Sequence, residues 1–183
     1  MKDYIYVMSV DPGNNTGITM FKVSIPDFKI LDIDTHNIIL DHFDNNLVVN
    51  GKILNRLNAL KTIITKITYD YQPTLVAFEA AFLNMKFPKA VIQLSQYIAV
   101  MESAVLTVSK KIKILRYPPL KVKKQLQTSN VSKLSMYEAV KAIPELNSKI
   151  KIKELTEHQI DSIAIGYTLI LELRTYPYYI LAM

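Results

Sequence analysis

Ser9-Val10-Asp11-Pro12-Gly13-Asn14-Asn15-Thr16-Gly17 is the stretch on which the reading of this chain turns. It is entered from the run Tyr4 to Met8, whose alternating aromatic and β-branched residues predict a strand, and Pro-Gly-Asn-Asn is turn chemistry. Gly17-Ile18-Thr19-Met20-Phe21 reads as the returning strand of a hairpin. Asp11 is therefore a carboxylate at the end of the first strand, beside a tight turn. Strand ends in open α/β sheets are where ligands sit. One acid makes no site, and an Asp before Pro-Gly is by itself explained as a turn residue, so partners have to come from the rest of the chain.

The composition sets bounds. A chain of 183 residues, half of them apolar and only four of them Gly, is long enough to bury a real core as one domain over residues 1–183. The absence of cysteine excludes a disulfide scaffold and a thiolate metal site. No basic and apolar leader opens the chain, and the most membrane-like stretch, Ile160 to Leu171, contains Asp161 and is too short to span a bilayer. A soluble, cytoplasmic protein is expected. The formal charge of +6, with lysines concentrated between Lys110 and Lys153, suggests phosphate-rich partners, nucleic acid first among them.

Along the chain, Phe28 to Thr35 alternates as a third antiparallel strand, and His36 to Asn50 reads as a connecting loop with room for a short strand at 37–40. From Lys52 the period changes: Ile53, Leu57, Leu60, Ile64 and Ile67 step by three and four, predicting a helix to about Tyr71 between Gly51 and Pro73. Thr74 to Glu79 is a short apolar run that fits a buried parallel strand, ending on a second carboxylate. A long helix over 88–110, a strand over 113–117 stopped by Pro118-Pro119, and a short basic helix over 120–127 follow. A helix from Ser132 to about Ile143, a basic linker over 147–153 and a last helix from about Thr156 complete the order. That helix is expected to turn Ile160, Ile163, Ala164, Tyr167, Ile170 and Leu171 to the core. The apolar end, Tyr176 to Met183, is expected to dock on the domain or on a partner chain. The order implies a mixed α/β sheet of three antiparallel and two parallel strands with helices on both faces.

If the first and fourth strands are parallel neighbours, Asp11 and Glu79 lie about 5 Å apart. Carboxylates that close are tolerated when a cation or a proton lies between them. His158 and Asp161 share one face of the last helix, whereas Glu157, about 100° round, is expected to point elsewhere. A hard-oxygen cluster without thiolates suits Mg²⁺ or Mn²⁺, and two such ions about 4 Å apart activate water and stabilise the leaving oxygen of a phosphodiester. Each residue taken alone has an ordinary explanation as a turn, loop or solvated helix face. Their conjunction at element ends is what carries weight.

In that order the residues resemble the RuvC-type Holliday-junction resolvases of the ribonuclease H-like nuclease superfamily, in a divergent or phage-borne form. The resemblance rests on Val10-Asp11-Pro12-Gly13 with Thr16-Gly17, on Ala77-Phe78-Glu79-Ala80-Ala81-Phe82, on Leu94-Ser95-Gln96, on Tyr117 with Val122-Lys123, and on His158 to Ile165. It implies a ribonuclease H-like fold and catalytic, metal-holding roles for Asp11, Glu79, His158 and Asp161. It implies two Mg²⁺ ions, for which Mn²⁺ can substitute, and hydrolysis leaving 5′-phosphate and 3′-hydroxyl ends. It also implies a homodimer nicking two symmetric strands of a four-way junction, with no membrane attachment, in a bacterial or phage-infected cytoplasm. Phe82 matches an aromatic pressed on junction bases, and Lys123 and Lys133, with Lys124 as a substitute, match basic DNA contacts. The wider basic flank adds Arg116 and Lys121 on physical grounds. The sequence departs from the family where Gly is missing, at Ser95 and at Ala99, the latter a second small, flexible position in bacterial members. A flap or RNA/DNA-hybrid nuclease and a non-catalytic branched-DNA-binding module share these features. An actin- or sugar-kinase-like ATPase would need a duplicated half, which 183 residues do not supply.

Overall fold

The computed structural model describes residues 3–43, 51–81, 88–126 and 133–177. Five strands, β1 (Tyr4–Asp11), β2 (Asn15–Ser24), β3 (Ile30–Ile39), β4 (Leu75–Glu79) and β5 (Lys113–Tyr117), form one sheet in the order β3-β2-β1-β4-β5. β2 pairs antiparallel with β1 and with β3, while β4 pairs parallel with β1 and with β5. The mixed sheet of three antiparallel and two parallel strands is as expected. Its central strand is apolar on both sides because both faces are covered: Val7 joins one core, and Met8 and Val10 join the other.

The helices are α1 (Lys52–Tyr71), α2 (Pro88–Val108), α3 (Pro119–Gln125), α4 (Lys133–Lys141), α5 (Pro144–Asn147) and α6 (Glu157–Thr175). On one face α1 presents Leu60 and Ile64 and α2 presents Tyr97, Ile98, Met101, Ala104 and Val105. The other face is covered by α6, backed by residues of α3, α4 and α5.

The structure moves several boundaries. β3 runs straight through His36 to Ile39, because pairing with β2 extends to Asn15 opposite Ile39; a short 3-10 turn, Leu40–Phe43, follows. Residues 44–50 of the expected loop lie outside the described residues. The segment expected to be a basic linker is part of the core: Leu146 on α5 and Ile152 on a 3-10 turn are buried, and the lysines between them face out. Pro144 ends α4 and also opens α5, where its missing N–H and fixed φ suit the first turn. In α6 the buried set is wider than one stripe, adding Ser162, Ile165, Gly166, Thr168, Leu169 and Leu173, whereas Tyr167 and Leu171 are only partly covered. A helix pressed between a sheet and further helices has no solvent face to give a clean period. Among the described residues α2, not Ile160–Leu171, is long and apolar enough by composition to cross a membrane. Its inner side packs on the sheet, and it leaves Ile92 and Leu106 exposed. The final apolar tail beyond Pro177 lies outside the described residues.

How α6 meets the sheet decides where the candidate site forms. Thr156 caps the helix with a capping box closed by Gln159, which fixes its first turn. A Cβ on Gly17 of β2 would stand 1.9 Å from the His158 carbonyl oxygen, so only glycine admits that turn against the sheet. Farther along, a Cβ on Gly166 would stand 2.2 Å from the Phe21 ring and 2.5 Å from Ser9 Oγ. Between these contacts the Ser9 hydroxyl donates to the Ser162 carbonyl at 2.7 Å, and the Thr19 and Ser162 hydroxyls lie 2.6 Å apart. Buried hydroxyls with partners are tolerated where a larger side chain would not fit.

Gly166→Ala is expected to destabilise the protein by about 1–3 kcal/mol, the usual range for overpacking. Urea unfolding measures it. A loss below about 0.5 kcal/mol would show that α6 can move off the sheet at little expense.

Candidate active site

β1 delivers Asp11 to the C-terminal edge of the sheet, buried and opposite Gly17 of β2. The neighbouring parallel strand β4 is in register with Val10 opposite Phe78, so Glu79 ends beside Asp11. The first turn of α6 sits over Gly17 and brings His158 to the same edge, with Asp161 one turn on. His158 Nδ1 lies 2.8 Å from Asp11 Oδ2. Its other ring nitrogen lies 3.5 Å from Glu157 Oε1, so the imidazole is flanked by two carboxylates. Glu157 was expected to point elsewhere. Helix geometry places its Cβ about 100° round, but a long side chain at the first helical position reaches back across that angle.

The electrostatics show that these groups share one space. Burial pushes the Glu79 carboxyl up to about 8, reinforced by the charges of Asp11 and Asp161 and opposed by Lys123. Burial likewise raises Asp161 to about 6; Asp11 and Glu157 add to the rise, and His158 and Lys123 oppose it. The hydrogen bond to Asp11 holds the His158 imidazolium above its usual range despite burial. A cluster whose acids push one another towards the neutral form lacks positive charge.

Asp11, Glu79 and Asp161 offer hard oxygens, and His158 offers an imidazole nitrogen, a donor set that fits Mg²⁺ or Mn²⁺. Among the described residues no three such groups are gathered closely enough to hold an ion as they stand. The fit lies in the donor chemistry and in the charge deficit.

The basic candidates divide. Lys123, on α3, is the lysine whose charge reaches both Glu79 and Asp161. Lys124 is exposed. Lys121 pairs with Glu172 at 2.5 Å and lies over the Tyr117 ring, whose hydroxyl donates to the same carboxylate at 2.6 Å. Arg116 makes a two-pronged contact with Glu102 of α2, at 2.6 and 2.5 Å. Phe82 lies outside the described residues. Lys133 opens α4, and its side chain is outside them as well.

The space that Gly17 leaves beside Asp11 is taken by the first turn of α6. A polar network around Asn14, joining Arg56, Gln93 and Tyr97, escaped the sequence reading. The only local signal was an Asn in a turn, and turns favour Asn for its own backbone reasons.

This sheet, with acids at the ends of its first and fourth strands and a closing helix that brings His158 and Asp161 to the same edge, is the ribonuclease H-like fold. The chain belongs to the family described as crossover junction endodeoxyribonuclease RuvC, whose sequence model matches residues 7–168. Among solved structures it is similar to Thermus thermophilus RuvC in complex with a Holliday junction substrate, at 16% identity and a TM-score of 0.69, covering 94% of this chain and 97% of that one. A second Thermus thermophilus RuvC structure matches with a TM-score of 0.67 and 16% identity over 93% of this chain and 96% of the other. The yeast mitochondrial Holliday junction resolvase Ydc2 matches with a TM-score of 0.59 and 13% identity, covering 94% of this chain and 82% of that one. No curated protein sequence matches significantly.

The two raised carboxyls and the raised imidazolium act in the same direction on stability. All three favour the protonated form in the folded state, so without metal their contribution is full at low pH and is lost as pH rises, for Asp161 through about 6 and for Glu79 through about 8. In EDTA, Glu79→Gln is therefore expected to melt several degrees above the wild type at pH 8.5 and close to it at pH 5. Thermal unfolding at the two pH values checks this, and an equal or lower midpoint at pH 8.5 would show that Glu79 is not under electrostatic strain.

Proposed function

We propose that this chain, as one nuclease domain over residues 1–183, is a metal-dependent, structure-selective DNA endonuclease. In this reading it resolves four-way junctions by paired nicks on symmetric strands, leaving 5′-phosphate and 3′-hydroxyl ends. The observation that carries the reading is the convergence of Asp11, Glu79, His158 and Asp161 on one sheet edge, their charges straining one another, in a chain of the RuvC family. The Holliday junction bound by the similar Thermus thermophilus protein supports a branched DNA substrate.

In this reading Asp11, Glu79 and Asp161 hold divalent metal, with His158 as a further ligand or as the group that orients Asp11. Bound Mg²⁺ or Mn²⁺ supplies an activated water and stabilisation of the leaving oxygen. Lys123 offsets the negative charge of the cluster and would meet a scissile phosphate, and Lys124 would extend the basic flank. Arg116 and Lys121, though paired within the protein, keep exposed side chains that can be shared with phosphates; Phe82 and Lys133 complete the proposed DNA contacts. Phosphate contacts of this kind make affinity salt-dependent and need no base readout. The exposed apolar side of α2, with Ile92 and Leu106, supports a second copy packing there, which gives the homodimer two sites for two strands. A place in a bacterial or phage-infected cytoplasm follows from such a substrate.

Asp11→Asn is expected to lower Mg²⁺-dependent cleavage of a labelled four-way junction at least 1,000-fold, on the order of the electrostatic terms in such sites, while junction affinity stays within a few-fold. Denaturing gels and gel shifts measure the two. Cleavage at the wild-type rate would refute the site, and equal binding without any metal-dependent product from the wild type would favour a non-catalytic binding module. Flap, Y-shaped and RNA/DNA-hybrid substrates in the same assay separate the related nuclease readings.

His158→Asp replaces an imidazole donor by a harder oxygen. The ratio of Mn²⁺-supported to Mg²⁺-supported cleavage is expected to fall. An unchanged ratio would remove His158 from the metal's immediate surroundings.

A further inference from the structure

The turn that follows Asp11 is held by more than its own hydrogen bonds. Within it the Thr16 hydroxyl donates to the Gly13 carbonyl at 2.8 Å, and the Leu40 N–H donates to the Asn14 carbonyl at 2.8 Å. The Asn14 side-chain oxygen accepts three further donors: the Tyr97 hydroxyl at 2.9 Å and the Gln93 amide at 3.4 Å, both on α2, and Arg56 Nη1 on α1 at 3.0 Å. Arg56 is itself anchored by Asp41 at 2.6 Å, just beyond β3. One amide oxygen thus joins the catalytic turn to two helices.

Tyr97 is 2% exposed, so its hydroxyl requires polar partners, and Asn14 and Gln93 are those partners. α2 does not pack flush on the turn. A groove of about 270 Å³, lined by Gly13, Asn14, Ala90, Gln93, Leu94 and Tyr97, lies between them. Apolar packing does not fill this gap, so the polar contacts set the spacing.

We propose that Asn14 is a positioning residue for the candidate active site: its side-chain oxygen ties the turn after Asp11 to α1 and α2, so the placement of Asp11 follows the seating of α2. Asn14 acts through Asp11, three residues away, and belongs to neither the acids nor the basic flank. Ile92, which faces solvent, adjoins Gln93 in sequence, so a second copy covering the outer side of α2 bears on the same helical turn that holds Asn14. The catalytic consequence rests on the nuclease reading; the structural one does not.

Three variants test it. Asn14→Leu keeps the shape and removes the acceptor, Tyr97→Phe removes one donor, and Asn14→Asp keeps an acceptor of the same size. Two readouts are taken: single-turnover cleavage of a four-way junction at saturating protein with Mg²⁺, and hydrogen exchange of the amides of Gly13 to Gly17. Asn14→Leu and Tyr97→Phe are expected to speed exchange in the turn at least tenfold while exchange at Met101 to Val105 is unchanged. They are expected to slow cleavage 10- to 100-fold with junction affinity within threefold, and Asn14→Asp is expected to recover both readouts to within threefold of the wild type. Wild-type exchange and cleavage in Asn14→Leu would overturn the proposal, as would faster exchange throughout the sheet or a loss that Asn14→Asp does not recover. If the wild type cuts no branched substrate, the nuclease reading fails and exchange in the turn alone decides the role of Asn14.

Discussion

The seating of α6 on β1 and β2 depends on side chains that are absent. Gly17 lets the backbone of His158 lie against β2, and Gly166 lets the middle of the helix lie against Phe21 and Ser9. The hydroxyls of Ser9, Thr19 and Ser162 stitch the layers between those contacts. Apolar burial alone would hold a helix on a sheet at ordinary spacing and would leave its sliding and rotation loosely specified. Two glycines and a seam of small polar residues specify both. The capping box at Thr156 then fixes which residue opens the helix, so His158 and Asp161 arrive beside Asp11 instead of one residue round.

That placement sets fold stability against site chemistry. Three carboxyl groups converge at an edge where Glu79 is pushed up to about 8 and Asp161 to about 6. A sequence selected for stability alone would place amides or apolar groups there. The Asp11–His158 contact relieves part of the strain by supplying positive charge from within the cluster, and Lys123 supplies more from α3. A divalent cation bound there would relieve it further, and such binding would be favoured where pH keeps the carboxyls ionised.

Much of this was legible in the sequence because it depends on local pattern. The alternation of β1, the change of period at Lys52, and the acids at strand ends are properties of short windows. They sufficed for a mixed five-stranded sheet and for Asp11 and Glu79 on adjacent parallel strands. What stayed hidden depends on contacts between distant segments. Glycine at 17 reads as a turn residue until the backbone of His158 is seen above it. Ile152 and Leu146 are buried although lysines surround them in the chain, because the short helical turns 144–147 and 152–154 direct the apolar residues inward while the lysines point out. β3 reached Ile39 because its partner β2 begins at Asn15, a fact of register and not of composition. The lysines looked alike in sequence, yet Lys121 is engaged by Glu172 and Lys123 faces the acids, a difference set by which side of the short helix α3 meets the site.

α2 brings these strands together, because its two sides answer to different solvents. Its inner side is core, with Tyr97, Ile98 and Met101 on the sheet; its outer side keeps Ile92 and Leu106 in water, at a free-energy disadvantage of about 25 cal/mol for each Å² of apolar surface left uncovered. A helix in that condition gains by association, and it is also the helix that reaches the turn after Asp11 through Tyr97 and Gln93. An assembly that covered this outer side would therefore act on the same element that holds the turn after Asp11. Displacing α2 by an ångström would stretch hydrogen bonds whose useful range is only a few tenths of an ångström, whereas the sheet beneath, paired along β1 and β4, would hardly respond. The acids belong to the rigid sheet and the capped helix. In the proposed role of Asn14, the turn after Asp11 is where the seating of α2 bears on that one acid.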